Sequence, residues 1–321
     1  MSSQESRLPL LVVIGPTASG KSALAISLAK QLRGEILACD STQLYRGFDI
    51  GTAKPDEKER DGIAHHLIDV LDPAEDATAG GYRDFALKVL ADVRARQLLP
   101  IVTVGTGLYL RALLEGLADL PLRSEELRDR LRASSRKRGP AHLHRVLRRM
   151  DPETALKIAP TDEQKVIRAV EVCLLTRKPI SEVHRAGRKP LQGWEPLKIG
   201  LAPTRDLLYA RIHERTDAML ERGWMKEVEA LASSGFAENS KPFQFIGYRE
   251  LLAVLRGTMK LEDARAAIQQ TTRNYAKRQI TWSRKDKSIR WFDGTGDDAQ
   301  IQSDVLAWVR DKLSASGRGA V

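Results

Sequence analysis

The feature that most constrains this chain is a glycine-rich loop at residues 15–22, which reads GPTASGKS. It matches the pattern G-x-x-x-x-G-K-[ST] at every position. It also stands between an apolar run at 8–14 and a helix-spaced pattern at 22–33, the strand and the helix that the pattern requires. In such loops the backbone N–H groups converge on phosphate oxygens at the positive end of a helix. We therefore predict that this loop binds a diphosphate or a longer phosphate chain; the pattern does not say that a phosphoryl group is transferred.

The predicted ligands of the phosphate are the side chains and the N–H groups of this loop. Lys21 supplies a point charge for the terminal phosphate, and Ser22 offers its hydroxyl to Mg²⁺, which is the expected cofactor. The predicted phosphate-binding residues are Gly15, Pro16, Thr17, Ala18, Ser19, Gly20, Lys21 and Ser22.

Apolar runs at 35–39 and 100–104 predict a second and a third strand, with helix-spaced segments at 79–98 and 106–117. Ligands of such α/β sheets bind beyond the carboxyl ends of the strands, so the phosphate loop, Asp40 and Thr106 should surround one pocket. Asp40 could act there as a general base, as a ligand of Mg²⁺ through water, or as a cap of its own loop. Thr106 could hydrogen-bond a phosphate or a base, or cap the following helix.

The pattern changes near residue 122, where strand signals stop and arginine-rich helical segments separated by prolines continue to about 188. A strand at 197–202 follows, then long helices near 205–222 and 261–284, a short strand at 289–292 and a helix near 298–313. We predict an α/β fold, a P-loop NTPase-like doubly wound parallel sheet with an inserted all-helical domain. The core comprises residues 1–121 and 189–321, and the insertion comprises 122–188.

The net charge of +10 is concentrated in two segments. Residues 123–149 contain ten Lys or Arg against three Asp or Glu, and residues 265–290 contain eight against one. Basic clusters of this kind are typical of proteins that bind polyanions. The alternative is a set of solvated helix faces.

Cysteine content and hydropathy indicate the compartment. Cys39 and Cys173 each lie among apolar residues, which predicts two buried small side chains rather than zinc ligands or a disulfide. No apolar run approaches the roughly 18 residues of a membrane-spanning helix. The run at 8–14 is too short for a signal peptide. These observations favour a cytoplasmic protein that has no membrane partner.

Seven motifs together resemble one enzyme family. They read GPTASGKS at 15–22, DSTQLYRGFDIGTAKP at 40–55, HHLIDVLDP at 65–73, GTGLYLRALLEGL at 105–117, QKVIRAVEV at 164–172, FQFIGYREL at 243–251 and AKRQITWSRKD at 276–286. Over about residues 10–292 the chain resembles the bacterial-type tRNA dimethylallyltransferases, also called tRNA isopentenyltransferases. Many nucleotide enzymes share the phosphate loop, whereas the stretch 40–55 and the pairing of IGYRE with KRQITW are far more specific.

The resemblance implies a reaction and its substrates. Members of this family transfer the dimethylallyl group of dimethylallyl diphosphate to N6 of the adenosine immediately 3′ of the anticodon in tRNA. Mg²⁺ accompanies the diphosphate. By resemblance, Asp40 accepts the N6 proton, Thr106 contacts the target nucleotide, and Lys21 stabilises the departing diphosphate.

Two arginines extend the implied diphosphate site. Arg211 and Arg215 match family arginines that lie near the diphosphate. The alternative from spacing alone is a surface helix on which both pair with Glu214 and Asp217.

The resemblance also implies the contacts with the anticodon stem-loop of tRNA. Basic residues within 128–149 and 265–290 would contact phosphates and position the loop, and the target base would flip out of its stack. Phe243, Phe245 and Tyr248 could stack on bases or pack in the core. The matching contact residues are Asp40, Ser41, Thr42, Gln43, Thr106, Arg128, Gln164, Lys165, Val166, Ile167, Arg168, Gln244, Phe245, Ile246, Gly247, Tyr248 and Arg249.

The chain departs from the family pattern in two places. The family usually has two glycines before the threonine, where this chain has Val104 and Gly105. The family pattern therefore does not predict the backbone conformation at the end of the third strand. Eukaryotic members carry a C-terminal zinc finger that this sequence lacks, so no zinc is expected. The resemblance implies a monomer.

Three other functions compete with this interpretation. A small-molecule or nucleoside kinase would share the phosphate loop but would leave the two basic segments and the motifs after residue 240 without a role. A non-catalytic RNA-binding protein would leave the phosphate loop unused. A transferase that prenylates free AMP or ATP would not need the basic insertion.

Overall fold

The computed structural model describes residues 7–118, 120–236, 238 and 240–315. The chain divides into two compact units, one formed by residues 1–113 with 192–321 and the other by residues 114–191. The sequence predicted bounds of 122 and 188 for the second unit.

The first unit is built on a six-stranded sheet in the order β3-β2-β4-β1-β5-β6. Every pairing among these strands is parallel, as expected of a doubly wound α/β fold. The strands are β1 (Leu8–Ile14), β2 (Gly34–Cys39), β3 (His65–His66), β4 (Leu99–Val104), β5 (Trp194–Leu201) and β6 (Arg290–Phe292).

Single helices separate the strands from β1 to β4, whereas several helices follow one another between β5 and β6. The helices of the first unit are α1 (Lys21–Leu32), α2 (Glu57–Arg60), α3 (Ala79–Ala95), α4 (Gly107–Glu115), α10 (Arg205–Glu221), α11 (Trp224–Ser233), α12 (Tyr248–Leu255), α13 (Leu261–Ser283) and α14 (Ala299–Ala315), with a 3₁₀ turn at Lys241–Gln244. No helix in the described ranges has the length and the apolar character that crossing a bilayer would demand.

Burial of β1 on both faces explains its continuous apolar sequence. Leu11 and Val13 join a core cluster with side chains of α1 and α14. Leu10 and Val12 point to the opposite face, because side chains alternate along a strand, and both are also fully buried. A strand covered on both faces favours the unbroken run LPLLVVI over an alternating pattern.

The second unit consists of helices in all the residues that the structure describes between 114 and 191, apart from connecting turns and the end of α4. These helices are α5 (Glu125–Arg138), α6 (Pro140–Met150), α7 (Pro152–Lys157), α8 (Glu163–Thr176) and α9 (Ile180–Ala186). Leu147, Val170 and Val172 lie at the centre of their apolar core. The predicted combination of a parallel α/β sheet with an inserted helical region is therefore confirmed.

Buried carboxylates connect the helices of the second unit. Glu171 is fully buried and accepts hydrogen bonds from the N–H of Ser124 at 2.8 Å and from the guanidinium of Arg168 at 2.7 Å. Asp151 is buried as well and accepts bonds from Thr154 and Ser181. Burial opposes the charge of Asp151, but these bonds outweigh it and lower its pKa.

Both cysteines are buried and unpaired among the described residues, as the sequence predicted. Burial raises the pKa of the Cys39 thiol to about 12. Burial raises the pKa of the Cys173 thiol as well, so neither thiol is a reactive group at neutral pH.

Candidate active site

A pocket of about 1120 Å³ opens at the carboxyl ends of β1, β2 and β4. Its walls come from the phosphate loop, from residues 40–43 and 105–107, and from one side each of α10 and α13. The three strand ends that the sequence singled out therefore surround one pocket, at the edge of the sheet where α/β proteins bind ligands.

Two residues of the phosphate loop have left-handed backbone angles, one a glycine and the other an alanine. Gly20 has a left-handed φ of 81°, which glycine adopts readily, and Ala18 has φ of 63°, which is uncommon for a residue with a Cβ. The N–H of Thr17 donates to Oε1 of Gln279 at 2.7 Å. The sequence predicted that the N–H groups of residues 17–22 face the diphosphate. In this structure that of Thr17 is engaged by α13, and that of Ser19 donates to the carbonyl of Pro16 at 3.2 Å.

Lys21 is poised between a charged and a neutral state. Its Nζ donates to the carbonyl of Pro16 at 2.8 Å. Burial, followed by the nearby charge of Arg215, lowers the pKa of Lys21 to about 7, although Asp40 acts in the opposite direction. An anion bound in the loop would restore the charge, because an opposite charge at close range favours the ammonium form.

Arg211 and Arg215 both extend from α10 to the phosphate loop. Arg215 donates to Oγ1 of Thr17 at 3.1 Å, and burial lowers its pKa while Asp40 raises it. Arg211 donates to the carbonyl of Ala18 at 2.9 Å and to Asp297 at 2.9 Å. These contacts exclude the surface-helix alternative for both arginines in this structure.

Asp40 lies directly after β2, and its two carboxylate oxygens have different surroundings. Oδ1 accepts bonds from the N–H and the hydroxyl of Thr42, at 2.9 and 2.8 Å, so the loop-capping role is real. Oδ2 lies against Gly105, where an added Cβ would stand only 1.9 Å from it. Oδ1 therefore holds the turn, and Oδ2 points to the end of β4. Among the described residues, Oδ2 accepts no hydrogen bond.

Thr106 follows β4 and turns its side chain toward β2. Its Oγ1 accepts a bond from the N–H of Ser41 at 3.0 Å and donates to the Ser41 hydroxyl at 3.2 Å. The helix-cap alternative is therefore wrong for the side chain, although the carbonyl of Thr106 accepts the first bonds of α4 from Tyr109 and Leu110.

Helix α13 contributes three side chains to which the sequence interpretation gave no role in the site. Gln279 is buried and donates to the carbonyl of Gly105 at 2.9 Å. The hydroxyl of Tyr275 donates to the same carbonyl at 2.8 Å. Trp282 packs against Gly107, where a Cβ would stand 2.7 Å from the indole. Gln279 and Trp282 lie in the motif at 276–286, so that motif was the signal that could have found them.

The sequence matches two families of known proteins. Over residues 43–286 it matches the family described as IPP transferase, and over residues 8–70 the family described as isopentenyl transferase. The chain belongs to the IPP transferase family. The resemblance read from the seven motifs is therefore confirmed.

Relatives in this family are similar over nearly their whole length. The tRNA dimethylallyltransferase of Koribacter versatilis is 50% identical over 301 residues, which cover 94% of this chain and 98% of the relative. That of Geobacter metallireducens is 42% identical over 305 residues, covering 95% and 99%.

Solved structures give the same result. The tRNA isopentenylpyrophosphate transferase of Bacillus halodurans superposes with a TM-score of 0.72 at 36% identity, covering 97% of this chain and 98% of that chain. A eukaryotic dimethylallyltransferase solved while acting on tRNA superposes with a TM-score of 0.82 at 28% identity, covering 97% and 80%.

Two of the motifs that mark this family are joined by Glu227 of α11, which the sequence interpretation missed. Its carboxylate accepts bonds from the N–H groups of Asp49 and Ile50 at 3.0 and 2.7 Å. It also accepts a bond from the hydroxyl of Tyr248 at 2.6 Å. Glu227 lies outside the quoted motifs, so no signal in the sequence interpretation pointed to it.

Trp224 brings the same two motifs together by packing. An added Cβ would stand 2.2 Å from the indole at Gly51 and 1.9 Å from it at Gly247, which has φ of 92°. Both positions therefore require glycine. The adjoining residues 244–246 line the pocket together with 40–43 and Thr106.

Some residues predicted to contact tRNA belong to the core instead. Phe243 and Tyr248 are fully buried and pack against Phe48, so their rings are not available for stacking on bases. Val166 and Ile167 are buried in the helical unit, at 1% and 3% exposure. These two side chains therefore pack in the helical unit and are not available for contact with tRNA.

The other predicted tRNA residues of the helical unit are more accessible. Gln164 and Lys165 are exposed on the first turn of α8. Arg168 is partly exposed and bonds to Glu171 and to the carbonyl of Pro121 at 3.0 Å. Arg128 is largely covered, and it pairs with Glu125 at 3.0 Å.

Proposed function

We propose that this protein transfers the dimethylallyl group of dimethylallyl diphosphate to N6 of an adenosine in tRNA, the one immediately 3′ of the anticodon. The observation that carries the proposal is one pocket in which the phosphate loop with Lys21 faces the carboxylate of Asp40. The names of relatives give tRNA as the acceptor and dimethylallyl as the transferred group, and the phosphate loop supports a diphosphate as the donor. A kinase would share the phosphate loop, but it would leave the two basic segments and the motifs after residue 240 without a role.

The chemistry follows from these groups. The bond between the prenyl carbon and the bridging oxygen breaks, and its electron pair leaves with the diphosphate, where Lys21 and Arg215 stabilise the charge. The N6 lone pair forms the new bond to the same carbon. N6 then loses a proton, for which Oδ2 of Asp40 is the acceptor.

Mg²⁺ fits the groups at the phosphate loop. It prefers oxygen ligands and is usually held by one or two protein groups together with substrate phosphates. The exposed hydroxyl of Ser22 lines the pocket and is the proposed protein ligand. When bound, Mg²⁺ offsets charge on the diphosphate.

The binding of tRNA rests on charge and on exposed polar groups. Ser41, Thr42, Gln43, Thr106, Gln244 and Phe245 line the pocket and would contact the flipped adenosine and its neighbours. The basic segments at 123–149 and 265–290 would contact phosphates. We further propose a monomer in the cytoplasm, which sedimentation and fractionation would test.

The decisive experiment is incubation of the protein with unmodified tRNA and labelled dimethylallyl diphosphate in the presence of Mg²⁺. Nucleoside analysis should recover the label as N6-dimethylallyladenosine. Label on free AMP or ATP in place of tRNA would contradict the proposal. So would tight binding of ATP with no binding of dimethylallyl diphosphate.

Diphosphate binding should depend on pH through Lys21. The pKa of Lys21 is about 7 in the free protein and rises beside an anion, so above pH 7 binding must take up a proton. Affinity for pyrophosphate should then fall as pH rises from about 7 to 9, by up to about tenfold per pH unit. Calorimetry at pH 8 in two buffers that differ in ionisation enthalpy measures the uptake. Because the ligand also titrates, the reference is Lys21→Met, and an equal slope in both proteins would contradict the assignment.

Gly105→Ala should disturb the acceptor side of the pocket alone. The added Cβ would stand 1.9 Å from Oδ2 of Asp40 and must displace that carboxylate. We expect prenyl transfer to slow by at least about tenfold, because small misplacements of reacting groups are costly, with pyrophosphate affinity unchanged. Gly80→Ala is the control, since its nearest contact is Thr78 at 4.0 Å. A transfer rate equal to that of the wild type would contradict the placement of Asp40.

A further inference from the structure

The amide of Gln279 spans the pocket from one strand end to another. Its Oε1 accepts the N–H of Thr17 in the phosphate loop at 2.7 Å. Its Nε2 donates to the carbonyl of Gly105 at the end of β4 at 2.9 Å. The side chain is 3% exposed, so water does not compete for either bond.

The two ends of this bridge carry opposite halves of the proposed reaction. Thr17 belongs to the loop that would hold the leaving diphosphate. Gly105 precedes Thr106 and contacts Oδ2 of Asp40, and the N–H groups of Gly105 and Thr106 both donate to the carbonyl of Cys39. A shift of Gly105 relative to the phosphate loop would therefore move the proton acceptor relative to the leaving group.

The bridge requires an amide of this length. A carboxylate could accept from Thr17 but could not donate to Gly105, and an aliphatic side chain could do neither. The carbonyl of Gly105 also accepts a bond from Tyr275 at 2.8 Å, so both of its lone pairs are used. It is therefore unavailable to the N6 amine, which leaves Asp40 and Thr106 to orient that group.

We infer that Gln279 is a positioning residue that fixes the spacing between the diphosphate loop and the proton acceptor. The inference rests on the proposed function. Gln279 acts through the backbone of Thr17 and Gly105 and supplies no proton or charge to the reaction. Its loss should therefore slow the transfer step while leaving each substrate's affinity nearly unchanged.

Two variants test the two halves of the bridge. Gln279→Glu keeps the acceptor for Thr17 and loses the donor to Gly105, and Gln279→Met loses both. Gln300→Met is the matched control, because Gln300 is exposed on α14. For each protein we would titrate active sites with Mg²⁺-pyrophosphate and measure the affinity for tRNA. We would then measure the single-turnover transfer rate at saturating substrates, normalised to active sites, so that a loss of folded protein does not affect the rate.

We expect both variants to transfer about 10- to 100-fold more slowly. In the uncharged Gln279→Met, affinities for pyrophosphate and tRNA should stay within about threefold of the wild type, whereas the carboxylate of Gln279→Glu, on the N–H of Thr17, should repel pyrophosphate. A wild-type rate in Gln279→Glu would contradict the inference, because the bond to Thr17 alone would then be enough and the bond to Gly105 would have no role. In Gln279→Met, a fall in pyrophosphate affinity as large as the fall in rate would also overturn it, because the residue would then only shape the loop. Failure of the wild type to prenylate tRNA would instead reject the proposed function and is read from the same assay.

Discussion

Replacing Asp40 with asparagine is expected to slow prenyl transfer by about 10²- to 10⁴-fold, the range that a general base contributes. Asparagine keeps an oxygen that can accept the N–H and hydroxyl of Thr42, bonds that hold the turn after β2 at 2.9 and 2.8 Å. It cannot take up the N6 proton. The loss should therefore fall on the transfer step, measured as the single-turnover rate with both substrates saturating. Affinities for tRNA and pyrophosphate should stay within about threefold.

The same chemical change at an exposed carboxylate is the control. Asp61 pairs with Lys30 at the surface, and Asp61→Asn should leave the rate unchanged. If Asp40→Asn lost tRNA binding together with transfer, Asp40 would be holding the recognition loop and not accepting a proton. Asp40→Ala adds a further comparison, because it removes the turn as well. It should lower tRNA affinity more than Asp40→Asn does.

The central strands β1, β2 and β4 could be predicted from the sequence because they are largely buried. A short unbroken apolar run such as LPLLVVI is typical of a strand that is covered on both faces. Strand β5 was harder: it begins at Trp194 and not at 197. Pro196 within it lacks an N–H and so discourages a strand prediction. Pro196 is tolerated because β6 pairs only with 199–201, which leaves that part of β5 with one neighbour.

Two smaller elements escaped prediction for other reasons. Strand β3 has only two residues, too few to give any periodicity. Helix α3 ends at Ala95, before the predicted end at 98, because Gln97 has a left-handed φ of 56°. Neither a two-residue pairing nor a backbone angle leaves a pattern in composition.

Some residues of the site could be predicted from the local sequence, and others could not. Asp40 and Thr106 follow strands, so the general placement of ligands at strand ends was enough to bring them to the phosphate loop. Gln279 contacts Thr17 across 262 residues, and Glu227 contacts Ile50 across 177. Spacing within one segment cannot tell which polar side chain of a helix faces another segment so far away in the chain.

Family motifs fail differently, because they do not separate packing from contact. Val166 and Ile167 lie in one motif with Gln164 and Lys165, yet the first two are buried and the last two are exposed. Tyr248 lies in a motif assigned to tRNA, and its hydroxyl is bound to Glu227. Burial decides between the two roles, and burial depends on the tertiary structure.

Lys21→Met is expected to have the other large effect, and on the opposite side of the pocket from Asp40→Asn. In the free protein, the carbonyl of Pro16 is the only hydrogen-bond acceptor of the Lys21 ammonium among the described residues. Burial opposes the charge of this ammonium. Contact with a diphosphate would offset that penalty most when charge on the bridging oxygen is greatest. We therefore expect transfer to slow by about 10²- to 10³-fold, the usual loss when one donor to a developing anion is removed.

Binding should separate Lys21→Met from every acceptor-side variant. Because Lys21 would touch the ground-state diphosphate as well, Lys21→Met should also weaken pyrophosphate binding, whereas Asp40→Asn should not. Lys30→Met is the matched control, since Lys30 lies on the same helix with its side chain 45% exposed. Calorimetry and single-turnover rates on these three variants give the comparison. If Lys21→Met bound pyrophosphate as tightly as the wild type, the phosphate loop would not be the diphosphate site. The leaving group and the proton acceptor would then have to be sought elsewhere in the pocket.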